Sequence, residues 1–192
     1  MMSLSHLLKK WRMQTQLLLG QRDAALRTLD DMLASQPSDS HARASRAHIR
    51  AQAGDSAGAL ADYAHLTSQA DATAAHWFNQ GFLQEASGLV QEAEQSFRRA
   101  LALDGQLDRA WFGLGLVLIR LGRLDDAIAA LERNTQLQPM SPHAWYELAR
   151  IHERRSNPEE VVRIIRHLQG FEPSFASRLA RETGVDLKAP AS

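Results

Sequence analysis

The side chains able to do chemistry sort into metal-binding candidates and charged or aromatic stripes. Eight histidines are present. His41 and His48 share a helical face seven residues apart, and His143 and His152 are nine apart. Neither pair has the i, i+4 spacing with an acid that a helical metal site uses. The chain has no cysteine, which excludes disulfides, thiolate zinc sites and thiol catalysis. No Gly-rich phosphate loop and no nucleophile–base arrangement can be identified, so no cofactor, no metal and no catalytic site are expected, and an enzyme is not. The basic residues are patterned instead. Arg43, Arg46 and Arg50 lie on one face at i, i+3 and i+7, and Lys9, Lys10 and Arg12 surround Trp11. A mixed stripe, Arg109, Phe112, Leu116 and Ile119, combines the aromatic and Arg side chains that binding hot spots prefer.

The elements that carry these stripes follow a period. The stretch Asp108–Pro139 holds Trp111, Leu114, Gly115, Leu118, Ala127, Leu131 and Pro139. Trp145, Leu148, Ala149, Val161, Ile165 and Pro173 each lie 34 residues further on. Trp77, Gly81, Ala93 and Phe97 lie 34 residues earlier, then Ala47, Gly54, Ala59 and Tyr63, then Met13, Gly20, Ala25, Leu29 and Pro37. Five in-phase units of this length have the spacing of a helix–turn–helix repeat. The pattern closely resembles that of tetratricopeptide repeat (TPR) proteins, with repeats at about 6–39, 40–73, 74–107, 108–141 and 142–175 and a capping helix at 174–183.

The resemblance implies an all-α fold, a right-handed α-solenoid of antiparallel helix pairs in which each unit mainly contacts its neighbours. A single array over 1–185 with a flexible tail at 186–192 is expected. In such arrays the stripe beside the core face of each first helix lines a concave groove that takes a peptide segment or a partner helix. Carried over by position, the partner-binding candidates are Phe78, Asn79 and Phe82 in the third unit, Arg109, Phe112 and Leu116 in the fourth, and Tyr146 and Arg150 in the fifth. The alternative is that such residues pack between neighbouring first helices. The Lys/Asn/Arg clamp with which some TPR proteins grip a chaperone tail is matched only in part, at Lys10, Asn79 and Arg109, which argues against that ligand.

Composition agrees with a soluble protein: 44% hydrophobic and 23% charged residues, with 22 basic and 22 acidic side chains. Zero net charge argues against general binding to nucleic acid or to anionic membranes. The charge is uneven, however. Residues 1–50 hold eight basic and four acidic groups, and residues 51–107 hold two basic and seven acidic. No secretory signal is convincing, and the longest uncharged apolar run, Trp111–Ile119, falls short of the ~20 residues that span a bilayer. A cytoplasmic location without membrane insertion is expected. The 19 Arg against 3 Lys point to a GC-rich, bacterial genome.

Local features sharpen the expectations. The first helix, Met1–Gly20, carries Leu4, Leu7, Leu8, Trp11 and Leu18 at helical spacing, although Lys9, Arg12 and Gln16 stand where the family is usually apolar. Terminal repeats are commonly atypical, so a rotated or solvated face is compatible with this pattern. A basic amphipathic anchor at a membrane surface is the alternative for this helix. Arg43 and Arg50 should lay their stems on apolar surface with the heads in water, or form a basic recognition stripe. Gly58 should soften the helix Ala59–Ser68. Ser156 replaces the turn glycine of the fifth unit, and Phe175 and Leu179 should seat the cap. The expected function is a protein–protein interaction scaffold or adaptor. A chaperone for a secreted or assembling client, or a regulatory subunit of an enzyme complex, is the alternative. Self-association through the first or the capping helix is compatible with the sequence.

Overall fold

The computed structural model describes residues 4–186. Among these there are eleven α-helices and no strand: α1 (Leu4–Leu18), α2 (Arg22–Ser35), α3 (Ser40–Gln52), α4 (Ser56–Thr67), α5 (Ala74–Ala86), α6 (Val90–Leu103), α7 (Asp108–Arg120), α8 (Leu124–Leu137), α9 (Pro142–Arg154), α10 (Pro158–Gln169) and α11 (Pro173–Thr183). The architecture is an all-α helical solenoid. The helices gather into two compact units, α1–α6 and α7–α11. The expected start of the first helix at Met1–Ser3 and the tail beyond Asp186 lie outside the described residues.

The 34-residue period is visible in the hydrogen bonds that close each pair. The amide of residue 21 donates to the carbonyl of residue 16, and Asp55 to Arg50, Leu89 to Gln84, Arg123 to Leu118 and Asn157 to His152 follow, all at 2.8–2.9 Å. This six-to-one bond needs a left-handed residue just before the donor. Gly20, Gly54, Gly88 and Gly122 supply it with φ of 69° to 84°, and Ser156 does so at φ 54°. Ser156 is the one non-glycine residue at positive φ among those described, and its Cβ makes that conformation costly.

Helix starts are set by side-chain caps or by proline. Asp39 accepts from the Ala42 amide at 2.9 Å, and Thr73 and His76 form a reciprocal capping box. Pro142, Pro158 and Pro173 open α9, α10 and α11 at the first turn, where a missing N–H costs nothing. Asp55 caps α4 through the Gly58 amide at 2.9 Å, so that helix begins at Ser56, three residues ahead of the expected Ala59. Gly58 has a reason to be small: a Cβ there would meet the Asp55 carboxylate at 2.2 Å.

Within each pair the second helix approaches through a repeated seat. Ala25, Ala59, Ala93 and Ala127 are fully buried, and Val161 holds the same place in α10. Four residues on, Leu29, Tyr63, Phe97, Leu131 and Ile165 form the next layer of the core. A small residue on the facing helix makes room for that layer. A Cβ at Gly81 would stand 3.0 Å from the Phe97 ring, and one at Gly115 would stand 2.7 Å from Leu131. In the second unit Trp111 and Trp145 each donate the indole N–H to the loop before their helix, at the Gly105 and Pro139 carbonyls, 3.0 Å in both cases.

The apolar stripe of α1 is not packed but solvated: Leu4, Leu7, Leu8, Trp11 and Leu18 are all exposed, and α1 instead buries His6, Met13 and Gln16. The repeat register decides which face turns inward, and it selects Met13 whatever its neighbours are. The two polar residues are satisfied there. Gln16 accepts from the Thr28 hydroxyl at 2.8 Å, and His6 Nε2 sits 2.9 Å from Asp39 Oδ2. The Arg43, Arg46 and Arg50 heads, by contrast, do not simply reach water. They converge on Asp62 of α4, which is only 3% exposed.

Candidate protein-binding surfaces

The arginine stripe of α3 is taken up by Asp62. Arg46 grips the carboxylate with two bonds, Nε to Oδ2 at 2.9 Å and Nη2 to Oδ1 at 2.5 Å. Arg50 adds Nη1 to Oδ2 at 2.8 Å, and Arg43 stands 3.5 Å from Oδ1. Arg46 also reaches Asp30 of α2 at 2.7 Å. The hydrogen bonds it donates to Asp62 hold the Arg46 guanidinium above its usual pKa, more than burial lowers it. A carboxylate out of water persists only when paired in this way. The arginine stripe therefore ties α2, α3 and α4 together and is spent inside the fold, not presented as a basic recognition face. In sequence, the signal was a lone acid in the otherwise apolar and small-residue helix SAGALADYAHLT, facing an Arg-rich helix.

In the first unit, α5 carries Phe78, Asn79 and Phe82. Phe97 is buried in the core of the α5–α6 pair; Phe78 lies against it with centroids 6.0 Å apart and is half-buried. Phe82, one turn on, stacks over Phe78 at 6.3 Å with an interplanar angle of 28°. Phe82 is 60% exposed, so the three rings make a platform whose outermost member is offered to solvent. Asn79 is half-buried beside it.

In the second unit the corresponding stripes behave differently. Arg109 and Arg150 are exposed, and Phe112 and Leu116 are half-buried. Phe112, His143 and Phe175 follow one another at 6.3 and 5.4 Å, and Phe175 meets the Tyr146 ring edge-on at 5.9 Å. Tyr146 is only 7% exposed. Its hydroxyl donates to the Glu182 carboxylate, and Arg178 lies 4.8 Å above its ring. Burial is the main cause pushing the Tyr146 phenol up, with Glu182 adding to it. Glu182 is held below the usual carboxylate range by the Tyr146 hydroxyl and then by Arg178. α11 thus covers Tyr146, and Arg150, 5.9 Å from the same ring, marks the edge of what stays open.

Among the described residues no group of three or more His, Asp or Glu is arranged to hold a metal ion. No described helix is long and apolar enough to cross a membrane.

Two TPR family models match the chain, over residues 45–108 and 85–151. No curated protein matches the sequence. Solved structures similar to this chain include a TPR protein from Parabacteroides merdae, with a TM-score of 0.83 at 18% identity over 95% of this chain and 75% of that one. MamA from Desulfovibrio magneticus aligns with a TM-score of 0.79 at 18% identity, covering 95% and 98% of the two chains. YrrB, described as a TPR protein with an unusual peptide-binding site, aligns with a TM-score of 0.77 at 16% identity over 88% of each chain. At these identities the likeness concerns the fold alone. The repeat spacing, the left-handed turn every 34 residues and the family matches agree: the chain belongs to the tetratricopeptide repeat family.

Proposed function

We propose that this TPR protein is a scaffold that holds a peptide segment or helix of another protein on the exposed stripes of its first helices. The TPR fold is that of a protein–protein interaction scaffold in general; the particular surface is the proposal. The observation that carries it is Phe82, a large aromatic side chain left open on a ring stack anchored in the core. An exposed aromatic held rigid by its neighbours binds at low entropic cost, which is what a hot spot requires. Phe78 and Asn79 flank it, with Asn79 able to bond a partner's backbone. In the second unit Arg109 and Arg150 offer charge beside Phe112 and Leu116 and suit an acidic partner segment. Tyr146 acts there as a wall under α11 rather than as an anchor. That YrrB is described as having a peptide-binding site on the same fold supports the reading.

The test is affinity capture from native lysate, comparing the wild type with Phe82→Ala and Arg150→Ala. A protein captured by the wild type and lost from Phe82→Ala, with helicity unchanged, supports the α5 surface. Unchanged capture by both variants refutes it.

A further inference from the structure

The apolar stripe of α1 has no place in the fold and none in the peptide-binding reading. Leu4, Leu7, Leu8, Trp11 and Leu18 fall within an arc of about 100° on an α-helix. Leu18 is 88%, Leu4 75% and Trp11 69% exposed. The helix is nevertheless firmly placed, because its opposite face is held to the unit by Met13, by the Gln16–Thr28 bond and by the His6–Asp39 contact. It is a seated helix that presents its greasy side outward.

The charges around that face decide what covers it. Lys10 and Arg12 lie about 100° to either side of its centre, where their heads can lift past the apolar side chains. Lys9 is turned back, donating to the Asp31 carbonyl at 3.0 Å. The first acidic residue in the chain is Asp23, so no carboxylate stands on α1. A second copy of the same helix would bring like charges together at the rim. A surface of lipid phosphates would neutralise them instead. A seated apolar face with a tryptophan and flanking bases is the layout of a helix lying in the plane of a bilayer surface.

We propose that α1 docks the chain onto an anionic lipid surface, with Leu4, Leu7, Leu8, Trp11 and Leu18 entering the headgroup–acyl boundary and Lys10 and Arg12 meeting lipid phosphates. The helix lies on the membrane and does not cross it. The stripe shares no residue with the α5 platform, so the inference stands or falls independently of the peptide-binding reading.

The experiment is flotation of the full chain with phosphatidylcholine vesicles and with phosphatidylglycerol-rich vesicles. Binding to the second kind only, weakened by added salt, is expected. Leu8→Ser/Trp11→Ser should abolish flotation with helicity intact, since both side chains are already exposed. Lys10→Gln/Arg12→Gln should weaken it about thirtyfold. Because the chain has no cysteine, an environment-sensitive dye on Thr15→Cys reads the contact directly. It should shift to the blue with anionic vesicles, while the same dye on Ser68→Cys in the α4–α5 connection should not. Absence of flotation, equal flotation with both vesicles, or a dimer in light scattering that Leu8→Ser/Trp11→Ser dissolves would each overturn the proposal. The last result would assign the face to a second copy.

Discussion

The two units use one repeat but fill it with different material. In α1–α6 the buried side chains include His6, Gln16, Thr28, Asp62, Gln84 and Ser96, whereas α7–α11 bury only Asn134 and Thr135 among their polar residues. The polar groups of the first unit are bonded across helices: Gln16 with Thr28, Gln84 with Ser96 at 2.7 Å, and Asp62 with its arginines. At the positions of Gln84 and Ser96 the second unit buries Leu118, Ala130 and Ile164 instead, with a half-buried His152 at the fourth place, and around them lie Leu131, Ile151, Ile165 and Leu168. A hydrogen-bonded seam gives little net stability but tolerates little change, since losing one partner strands the other. An aliphatic seam gains with every methylene and loses smoothly. The repeat geometry thus fixes where the layers meet and leaves open how they are joined.

The sharpest way to break this comparison is Asp62→Ala. It leaves the guanidiniums of Arg43, Arg46 and Arg50 around an empty place and should cost about 3–5 kcal/mol. Since repeat stabilities are local and nearest-neighbour in character, amide exchange should rise in α3 and α4 while α9 and α10 keep their protection. Uniform loss of protection along the chain would show that the two units do not differ in this respect.

Leu179→Ala follows in size. Leu179 is fully buried on the inner face of α11, and removing its side chain should cost about 2–4 kcal/mol, read as a lower thermal midpoint. The matching change at the other end of the chain, Leu8→Ala, should stay within about 0.5 kcal/mol of wild type because Leu8 already faces solvent. The contrast between these two leucines separates a cap that seals its unit from one that leaves its apolar side open. Equal losses would mean that the α1 face is covered in solution.

How far the sequence could be read follows the same division. The 34-residue spacing located every pair, because turn glycines, seat alanines and Pro starts are local signals tied to one backbone geometry. The second unit was the more legible, since there the apolar residues are the core. The first unit misled where local and repeat-level patterns disagree. In α1 the obvious stripe runs through Leu4, Leu8 and Trp11, while the register buries Met13 and Gln16, and only the register knows where α2 lies. The Arg43–Arg46–Arg50 stripe looked like surface because its partner, Asp62, sits on the following helix. Tyr146 occupies a position implied to be groove, but Phe175 and Glu182 of α11 close over it, a contact that depends on where the cap docks and not on the repeat pattern. Phe82 lies on the same kind of stripe and stays open.

Gly115→Ala probes the close approach in the aliphatic unit. Its Cβ would fall 2.7 Å from Leu131 Cδ2 and Cγ, so α7 and α8 must part or Leu131 must leave its rotamer. A loss of about 1–3 kcal/mol in a chemical melt is expected. The counterpart Gly81→Ala meets the Phe97 ring at 3.0 Å and Ser96 Cβ at 3.1 Å and should cost less, because both are looser than the Leu131 contact and a small shift of α6 with its ring relieves them.

The smallest effect runs in the other direction. Ser156 holds the left-handed turn that Gly20, Gly54, Gly88 and Gly122 hold in the other pairs, at φ 54°. Its backbone N–H donates to the Glu153 carbonyl at 2.9 Å, a bond glycine would keep. Ser156→Gly removes the Cβ conflict but gives the unfolded chain more freedom, so the two terms partly cancel. The conflict is the larger, and the variant should be more stable by about 0.5–1 kcal/mol, seen as a raised thermal midpoint. Ser156→Ala is the control: it keeps the Cβ and should show no gain. If it gains as much as Ser156→Gly, the benefit comes from losing the hydroxyl, and the left-handed turn in the α9–α10 connection is not where the fifth pair is strained.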